Sequence, residues 1–317
     1  MRLIKLFILV LFVSPLIGVA QFKWDFGGGL GVTNVLGDMG GKEKTRRDFV
    51  ADLKMKETRW AVDGFARYKI NPQILIKGMF TYARLEGADS LSTNPGRVGR
   101  NLHFRNDIFE LAFNGEFVFY EASDIGSSYR FRNDLRCYAF AGVGGIYHNP
   151  KGKLAGSWVN LAPMLNEGVK YSKVQFVIPM GVGLFFTIKR EHRIGWEIGW
   201  RKTFTDYLDD VSTVYVDQST LSPEALAWQQ QAYNGTVAMN LSDPDDLIPD
   251  PNNYTPHLEN GNMVYPKRGD SSHPDAYIIT TFNYSYVLRG KSRFSRSRYS
   301  GYFKTRKYKK RKSRAKF

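Results

Sequence analysis

Long stretches of this chain alternate apolar and polar residues with a period of two. In one of them Phe109, Leu111 and Phe113 occupy every second position, and Glu110 and Asn114 lie between them. Successive side chains of a β-strand point to opposite faces. The pattern therefore predicts strands with one bulky apolar face and one charged or small face.

Eight segments share this alternation and are separated by turn signals. They cover residues 23–36, 58–70, 73–85, 108–120, 135–147, 174–188, 194–207 and 276–288. Each is about twice the usual strand length of about 5–6 residues. That length is enough for a tilted strand to cross a bilayer.

The apolar faces carry large aromatic residues, which would crowd the inside of a small barrel. In a membrane barrel they would contact lipid while the charges fill the lumen. The sequence therefore predicts an all-β fold, an eight-stranded antiparallel transmembrane barrel with long outer loops. The lipid-facing set is predicted to include Phe80, Phe113, Phe117, Trp196, Trp200 and Phe282. A soluble eight-stranded barrel of the lipocalin type is the alternative.

The opposite faces supply a mixed set of charges for the interior of such a barrel. The predicted lumen residues are Asp25, Asp63, Arg67, Lys77, Glu110, Glu116, Glu197 and Arg201. Both signs occur, so the side chains can pair across a narrow space, and glycines on the same strands leave room for them. Eight strands enclose only enough volume for their own side chains. We therefore expect a plugged barrel and no open pore.

The lengths of the connections predict the orientation. Two short turns, at residues 71–72 and 189–193, lie between the second and third and between the sixth and seventh segments. The connections after segments one, three, five and seven are long. Outer-membrane barrels have short periplasmic turns, long outer loops and periplasmic termini. The pattern therefore predicts that both termini of this chain lie in the periplasm.

The first twenty residues have the order of a secretory signal peptide. Arg2 and Lys5 precede an apolar run at residues 6–13, and small residues lead to a predicted cleavage between Ala20 and Gln21. A transmembrane anchor is the alternative, but it needs about twenty uninterrupted apolar residues, and Pro15 interrupts this stretch. The predicted organisation is a signal peptide at 1–20, a barrel at 21–288 and a basic tail at 289–317.

The formal charge of +15 is concentrated in that tail, where fourteen Lys and Arg residues occur without an acid. The predicted partner-binding residues are Lys304, Arg306, Lys307, Lys309, Lys310, Arg311, Lys312 and Arg314. Aromatic residues between basic ones are typical of nucleic-acid binding, but a secreted chain meets little nucleic acid. Anionic lipid headgroups or an acidic protein surface remain as partners, and a solvated tail is the simplest alternative.

Few residues suggest chemistry. The single cysteine, Cys137, forms no internal disulfide, and no Cys/His cluster predicts a metal site. His148 beside a loop serine is the strongest hydrolase candidate, but the spacing does not support it. We therefore expect no enzymatic activity, no cofactor and no small-molecule substrate.

A loop-base motif follows the seventh segment, with Asp206, Tyr207, Asp209 and Asp210 close together. Besides solvated carboxylates, two interpretations are open. The three aspartates of the motif, together with Asp243, Asp245, Asp246 and Asp250, offer oxygen ligands for Ca²⁺, although the EF-hand spacing is absent. Alternatively the motif pins the loop base by pairing with Arg201 or Lys202. Further on, Ser222 before Pro223 predicts a capped helical turn.

Several of these stretches resemble one family. Residues 25–31 (DFGGGLG) with Asn34 and 36–38 (LGD) look like the opening strand of the Bacteroidota outer-membrane barrel family typified by PorG, a component of the type IX secretion system. Residues 100–105 (RNLHFR) and 140–145 (FAGVGG), followed by Asn149-Pro150, are similar to other parts of it. The most specific match is 201–212 (RKTFTDYLDDVS).

The resemblance covers most of residues 22–288. It implies an integral outer-membrane barrel acting as a scaffold or anchor in a secretion assembly, with periplasmic secretion-system proteins as partners. The polybasic tail and the long loop at 207–275 depart from the family pattern. A stand-alone barrel of the OmpA or OmpX type, whose loops bind an external ligand, is the alternative function.

Overall fold

The computed structural model describes residues 23–39, 55–92, 95–123, 133–234, 257–259, 262–272 and 274–288. Its strands are β1 (Trp24–Leu36), β2 (Arg59–Lys69), β3 (Ile74–Ala88), β4 (His103–Ala122), β5 (Asp134–Tyr147), β6 (Pro150–Leu154), β7 (Ser157–Asn160), β8 (Val174–Ile188), β9 (His192–Thr203), β10 (His257–Glu259), β11 (Asn262–Val264) and β12 (Ala276–Val287). Two α-helices are described, α1 (Pro95–Arg100) and α2 (Pro223–Asn234).

Eight of the strands close into a ring in the order β1, β2, β3, β4, β5, β8, β9, β12. All pairings are antiparallel, and β1 closes the ring by pairing with both β2 and β12. Closure leaves no strand edge along the wall. The predicted all-β, eight-stranded antiparallel barrel is confirmed.

One end of the barrel carries the short turns, together with the start of β1 and the end of β12. Asn71 stabilises the β2–β3 turn, because its side-chain oxygen accepts hydrogen bonds from the amides of Gln73 (2.9 Å) and Ile74 (2.7 Å). Lys189 and Arg190 take the left-handed conformation in the β8–β9 turn. At the same end the Leu288 amide donates to the Trp24 carbonyl, at 2.8 Å. The described residues of the four long connections lie at the opposite end.

The strand predictions are accurate for most of the wall, but the structure extends two strands further. β3 runs to Ala88, whereas the predicted third segment ends at 85. β4 begins at His103, whereas the predicted fourth segment begins at 108. At these strand ends the outward residues are charged and not apolar, so the apolar alternation ends before the strands do. The seventh segment, in contrast, ends early, at Thr203.

The long connections contain more structure than the sequence analysis predicted. The β6–β7 hairpin follows β5 and pairs with the upper part of β4, and β10–β11 form a second small hairpin. Helix α2 confirms the predicted capped turn, since the Ser222 hydroxyl accepts a hydrogen bond from the Ala225 amide at 3.2 Å.

Candidate functional site: the lumen, the outer face and the loop cap

The structure places all eight predicted lumen residues inside the barrel, each at most 7% exposed. Near the short-turn end Arg67 lies between two carboxylates, 2.8 Å from Glu116 (Nε–Oε2) and 3.5 Å from Asp25 (Nη1–Oδ2). Arg193, which the sequence analysis did not select, also pairs with Asp25. These ion pairs fill the half of the lumen nearest the short turns.

The ladder of charges continues toward the long-loop end through Lys77. Its ammonium group lies 3.6 Å from Glu116 and pairs with Glu197. The Tyr138 hydroxyl donates to the same Glu197 carboxylate at 2.7 Å. Cations and anions therefore alternate along this part of the lumen, and the charges of Arg67, Lys77, Glu116 and Glu197 each have a partner of opposite sign.

Glu110 ends the ladder at the long-loop end. Arg201 lies 3.6 Å from it, and the Tyr277 hydroxyl donates to it at 2.7 Å. Tyr138 and Tyr277 are not among the predicted lumen residues, because aromatic residues were expected to face lipid. Both occupy the inward parity of their strands, and this signal would have found them.

Glycines provide the space that these side chains need. A Cβ added at Gly183 would lie 2.5 Å from the Tyr138 ring, and one at Gly29 would lie 2.8 Å from the Asp63 carboxylate. Both contacts are shorter than van der Waals distance. Large polar side chains and the glycines opposite them thus fit together and fill the lumen.

The outer face is apolar. Phe80, Phe113, Phe117 and Phe282, predicted to contact lipid, are 52–69% exposed, and Trp196 and Trp200 are partly exposed on the same face.

Aromatic rings gather at both ends of this face. Toward the long loops the Tyr82 ring lies 4.9 Å from Trp60 and 5.2 Å from Phe109 (centroid to centroid). Toward the short turns Trp24 lies 4.8 Å from Tyr68. An apolar band between two aromatic girdles is the pattern of a barrel surrounded by lipid.

The described residues of the four long connections fold into one body over the barrel mouth, which we call the loop cap. Its apolar centre includes Leu208, Val211 and Trp228, each at most 1% exposed, and it joins the upper lumen at Tyr277.

Two buried arginines hold the cap together. Arg100 binds Asp89 with both sides of its guanidinium group and also donates to the main-chain carbonyls of Asp38 (2.9 Å) and Arg268. Arg268 in turn pairs with Glu167 (2.8 Å) and Asp210 (3.3 Å). The ion pairs and main-chain hydrogen bonds of these two arginines therefore join all four long connections.

Three aspartates lie close together beneath these arginines. Asp209 accepts hydrogen bonds from the amides of Met39 (2.9 Å) and Val211 (3.0 Å), and Asp275 accepts one from Leu208 (2.9 Å). Burial, together with the nearby charge of Asp38, raises the pKa of Asp209 to about 7. Burial and the neighbouring Asp209 raise the pKa of Asp275 well above its ordinary value.

The loop-base motif lies in the cap, but its partners differ from the predicted ones. Arg268 and the hydroxyl of Tyr171 (2.6 Å) bind Asp210, whereas Arg201 points into the lumen. The predicted pairing of Asp209 and Asp210 with Arg201 or Lys202 is wrong, because the loop turns over the mouth and carries both carboxylates away from the strand end.

The remaining residues of the motif lie at the edge of the cap. The Tyr207 ring stacks on Tyr171, at 4.7 Å between centroids, and Asp206 is half-buried. Among the described residues, no group of three or more His, Cys, Asp or Glu side chains is arranged to hold a metal ion.

His148 is completely buried at the base of the cap. Its Nε2 lies 3.2 Å from the Ser172 carbonyl oxygen, and burial lowers the pKa of the imidazole to about 4. The imidazole is therefore neutral near pH 7 and serves the packing of the loop.

Several predicted features lie outside the described residues. They are the signal peptide, the eight tail residues from Lys304 to Arg314, and Asp243, Asp245, Asp246 and Asp250. In the part that the structure describes, no helix is both long enough and apolar enough to span a membrane.

Comparison with known proteins identifies a family. The family model described as "Domain of unknown function (DUF6089)" matches residues 2–222. The chain belongs to the DUF6089 family. The DUF6089 match includes β1 to β9 and ends just before α2. A search of curated proteins finds no match.

Solved barrels are similar to this DUF6089 chain at low identity. Ail, the attachment invasion locus protein of Yersinia pestis, in complex with the heparin analogue sucrose octasulfate, is 9% identical with a TM-score of 0.35, and the match covers 84% of this chain and 99% of Ail. Neisserial surface protein A is 6% identical with a TM-score of 0.33, covering 84% and 98%.

Proposed function

We propose that this chain is an integral outer-membrane barrel that acts as a non-enzymatic scaffold or anchor in a type IX secretion assembly of the PorG type. The observation that carries the membrane location is the outer apolar band between two aromatic girdles. In water such a band would expose many large apolar side chains together, which soluble monomers avoid. The signal peptide predicted at residues 1–20 supports export.

The filled lumen favours a scaffold over a channel. Charged side chains occupy it from Asp25 at the short-turn end to Glu110 at the other, and the loop cap covers the mouth. Transport of a solute would require several buried ion pairs to separate, and a buried charge left without its partner costs about 3–5 kcal/mol. In this proposal the barrel holds a position in the membrane, and the tail at 289–317 docks periplasmic partners.

A stand-alone surface barrel is the second candidate, and the loop cap favours it. Loops cross-linked by Arg100 and Arg268 present a fixed surface at the end of the barrel, as expected of a receptor for an external ligand. The resemblance of residues 201–212 to the secretion family favours the first candidate.

Two experiments test the proposal. Membrane fractionation and heat-modifiable gel migration test whether the chain is a membrane barrel. A water-soluble mature protein would contradict this part of the proposal. Affinity isolation from mildly solubilised membranes then tests the role. Recovery of periplasmic secretion proteins supports the scaffold, and their reproducible absence supports the surface barrel.

A further inference from the structure

The outer face of the β3–β4 pair changes abruptly from apolar to charged. Tyr82 and Phe109 are cross-strand partners and form the last apolar row. The next outward row along both strands is Arg84 opposite Asp107. Paired residues share one face of a sheet, so the charged row continues the same outer surface directly above the aromatic girdle.

The position of this change matches the edge of a hydrocarbon layer. The outward apolar rows begin at Ile74 and end at Tyr82. Eight residues at about 3.4 Å each extend about 27 Å along the strand. A tilt of about 40° reduces that to a height of about 20 Å, near the apolar band of about 25 Å in membrane barrels. The charged rows therefore lie at the level of lipid headgroups.

The β6–β7 hairpin widens this charged surface. Lys151 pairs with Arg105, and Lys153 pairs with Trp158, so they continue the outward rows of β4. We call the combined surface the basic wall. It consists of Arg59, Arg84, Glu86, Arg105, Asp107, Lys151, Lys153 and Trp158. Five of these residues are basic and two are acidic.

The two acids of the basic wall are already engaged. Asp107 accepts hydrogen bonds from Tyr82 (2.8 Å) and Arg84 (2.7 Å) and lies 3.8 Å from the Nε of Arg105. Glu86 pairs with Arg59. Over the described residues, neither lysine of the wall lies within ion-pair distance of a carboxylate. The wall therefore carries surplus positive charge at its β4–β6–β7 side.

The geometry on that side suits a phosphate group. The Arg105 guanidinium lies 4.5 Å from the centroid of the Trp158 ring, which holds it against the hairpin. Lys153 is exposed, and its amide donates to the His103 ring at 3.1 Å. Arginine matches phosphate geometry through its planar fork, and lysine contributes a mobile point charge.

We propose that the basic wall binds the phosphate of a lipid headgroup through Arg105, Lys151 and Lys153. This inference rests on the proposed membrane location, because only a bilayer around the apolar band brings headgroups to this height. Trp158 flanks the site at the interface, where an aromatic ring with a polar edge is favoured. The site would order one anionic lipid beside the β6–β7 hairpin.

Native mass spectrometry of the full chain in detergent tests the site. The probe is phosphatidic acid, and phosphatidylcholine with the same acyl chains is the reference lipid. Changing both Lys151→Gln and Lys153→Gln should weaken phosphatidic acid binding at least about tenfold, since each basic residue contributes severalfold near a lipid surface. Binding of phosphatidylcholine should stay unchanged.

The matched control changes two lysines of the loop cap, Lys170→Gln and Lys267→Gln, which removes the same charge away from the wall. It should bind phosphatidic acid like the wild type. Equal affinity of the wall variant and the wild type contradicts the site, as does an equal loss in the control. Displacement of the lipid by an equal concentration of inorganic phosphate also contradicts it.

A separate experiment tests the proposed membrane location, on which the headgroup site depends. The wild-type chain should fold into phosphatidylcholine vesicles with heat-modifiable migration. If it does not, the membrane barrel and the headgroup site are both wrong. If it folds but shows no preference for phosphatidic acid, only the headgroup site is wrong.

Discussion

Arg100 and Asp89 form a two-pronged ion pair in the loop cap, with Nε–Oδ2 at 2.7 Å and Nη2–Oδ1 at 2.9 Å. Asp89 is completely buried, and Arg100 is 7% exposed. The same guanidinium group reaches the main chain of Asp38 and of Arg268, so one side chain ties three loops together.

Arg100→Ala should therefore destabilise the protein strongly. It leaves the Asp89 carboxylate buried without its cation, which costs about 3–5 kcal/mol. Urea unfolding in detergent measures the free energy of unfolding. Lys267→Ala is the control, because its pair with Asp270 is exposed and should contribute about 1 kcal/mol or less. Equal losses in the two variants would contradict this account of the cap.

The packing of the lumen predicts that alanine substitutions at two glycines differ in their effect on stability. Gly183→Ala places a methyl group 2.5 Å from the Tyr138 ring, which is buried against Glu197, and should cost about 1–3 kcal/mol through overpacking. Gly64→Ala, on the outer face of β2, meets nothing within 4 Å and should be nearly neutral. Thermal unfolding of both variants checks the difference; a tolerated Gly183→Ala would show that the lumen is loosely packed.

The sequence predicts the wall of the barrel better than the cap, for a physical reason. Strand alternation is a local pattern, so the outward Phe113 and the inward Lys77 are assigned correctly from their neighbours. The pair between Asp210 and Arg268 joins residues 58 positions apart in loops without a period. The extensions of β3 and β4 were missed because Glu86 and Asp107 occupy outward positions where apolar residues were expected.

The raised pKa of Asp209 predicts that the cap loosens with rising pH. Its folded-state pKa is about 7, above the ordinary value of 3.8, so folding favours the protonated form. The stability from that proton is complete below pH about 4 and is lost as the pH rises through about 7. The protection factors of the Met39 and Val211 amides, which correct for the faster intrinsic exchange at high pH, should therefore be lower at pH 8 than at pH 5.

Asp209→Asn removes the ionisable group and should flatten this pH dependence. Asp217→Asn changes an exposed carboxylate of the same connection and should leave the dependence as in the wild type. If Asp209→Asn retains the full pH dependence, Asp209 is not its source.

The basic tail predicts a separable function. A chain that ends after Leu288 keeps every barrel strand and should insert normally, but it should lose its periplasmic partners in affinity isolation. Replacing Lys307, Lys309, Lys310, Arg311 and Lys312 by Gln should weaken the contact partially, and added salt should weaken it further, because exposed charges are screened over about 8 Å at physiological ionic strength. Co-isolation of the same partners at the same yield without the tail would show that the tail is only a solvated extension.

The central claim is that lipid surrounds the outer face of the barrel, and Phe113 tests it most directly. This side chain is 58% exposed and pairs with Gly78 in the middle of the apolar band. The measurement is the free energy of unfolding of Phe113→Arg in phosphatidylcholine vesicles. Met55→Arg serves as the matched control, because Met55 is 80% exposed just before β2, outside the band. An arginine at the midplane of a bilayer should cost about 2–4 kcal/mol, and the control should change by less than about 0.5 kcal/mol. Two variants with equally small changes would contradict the claim.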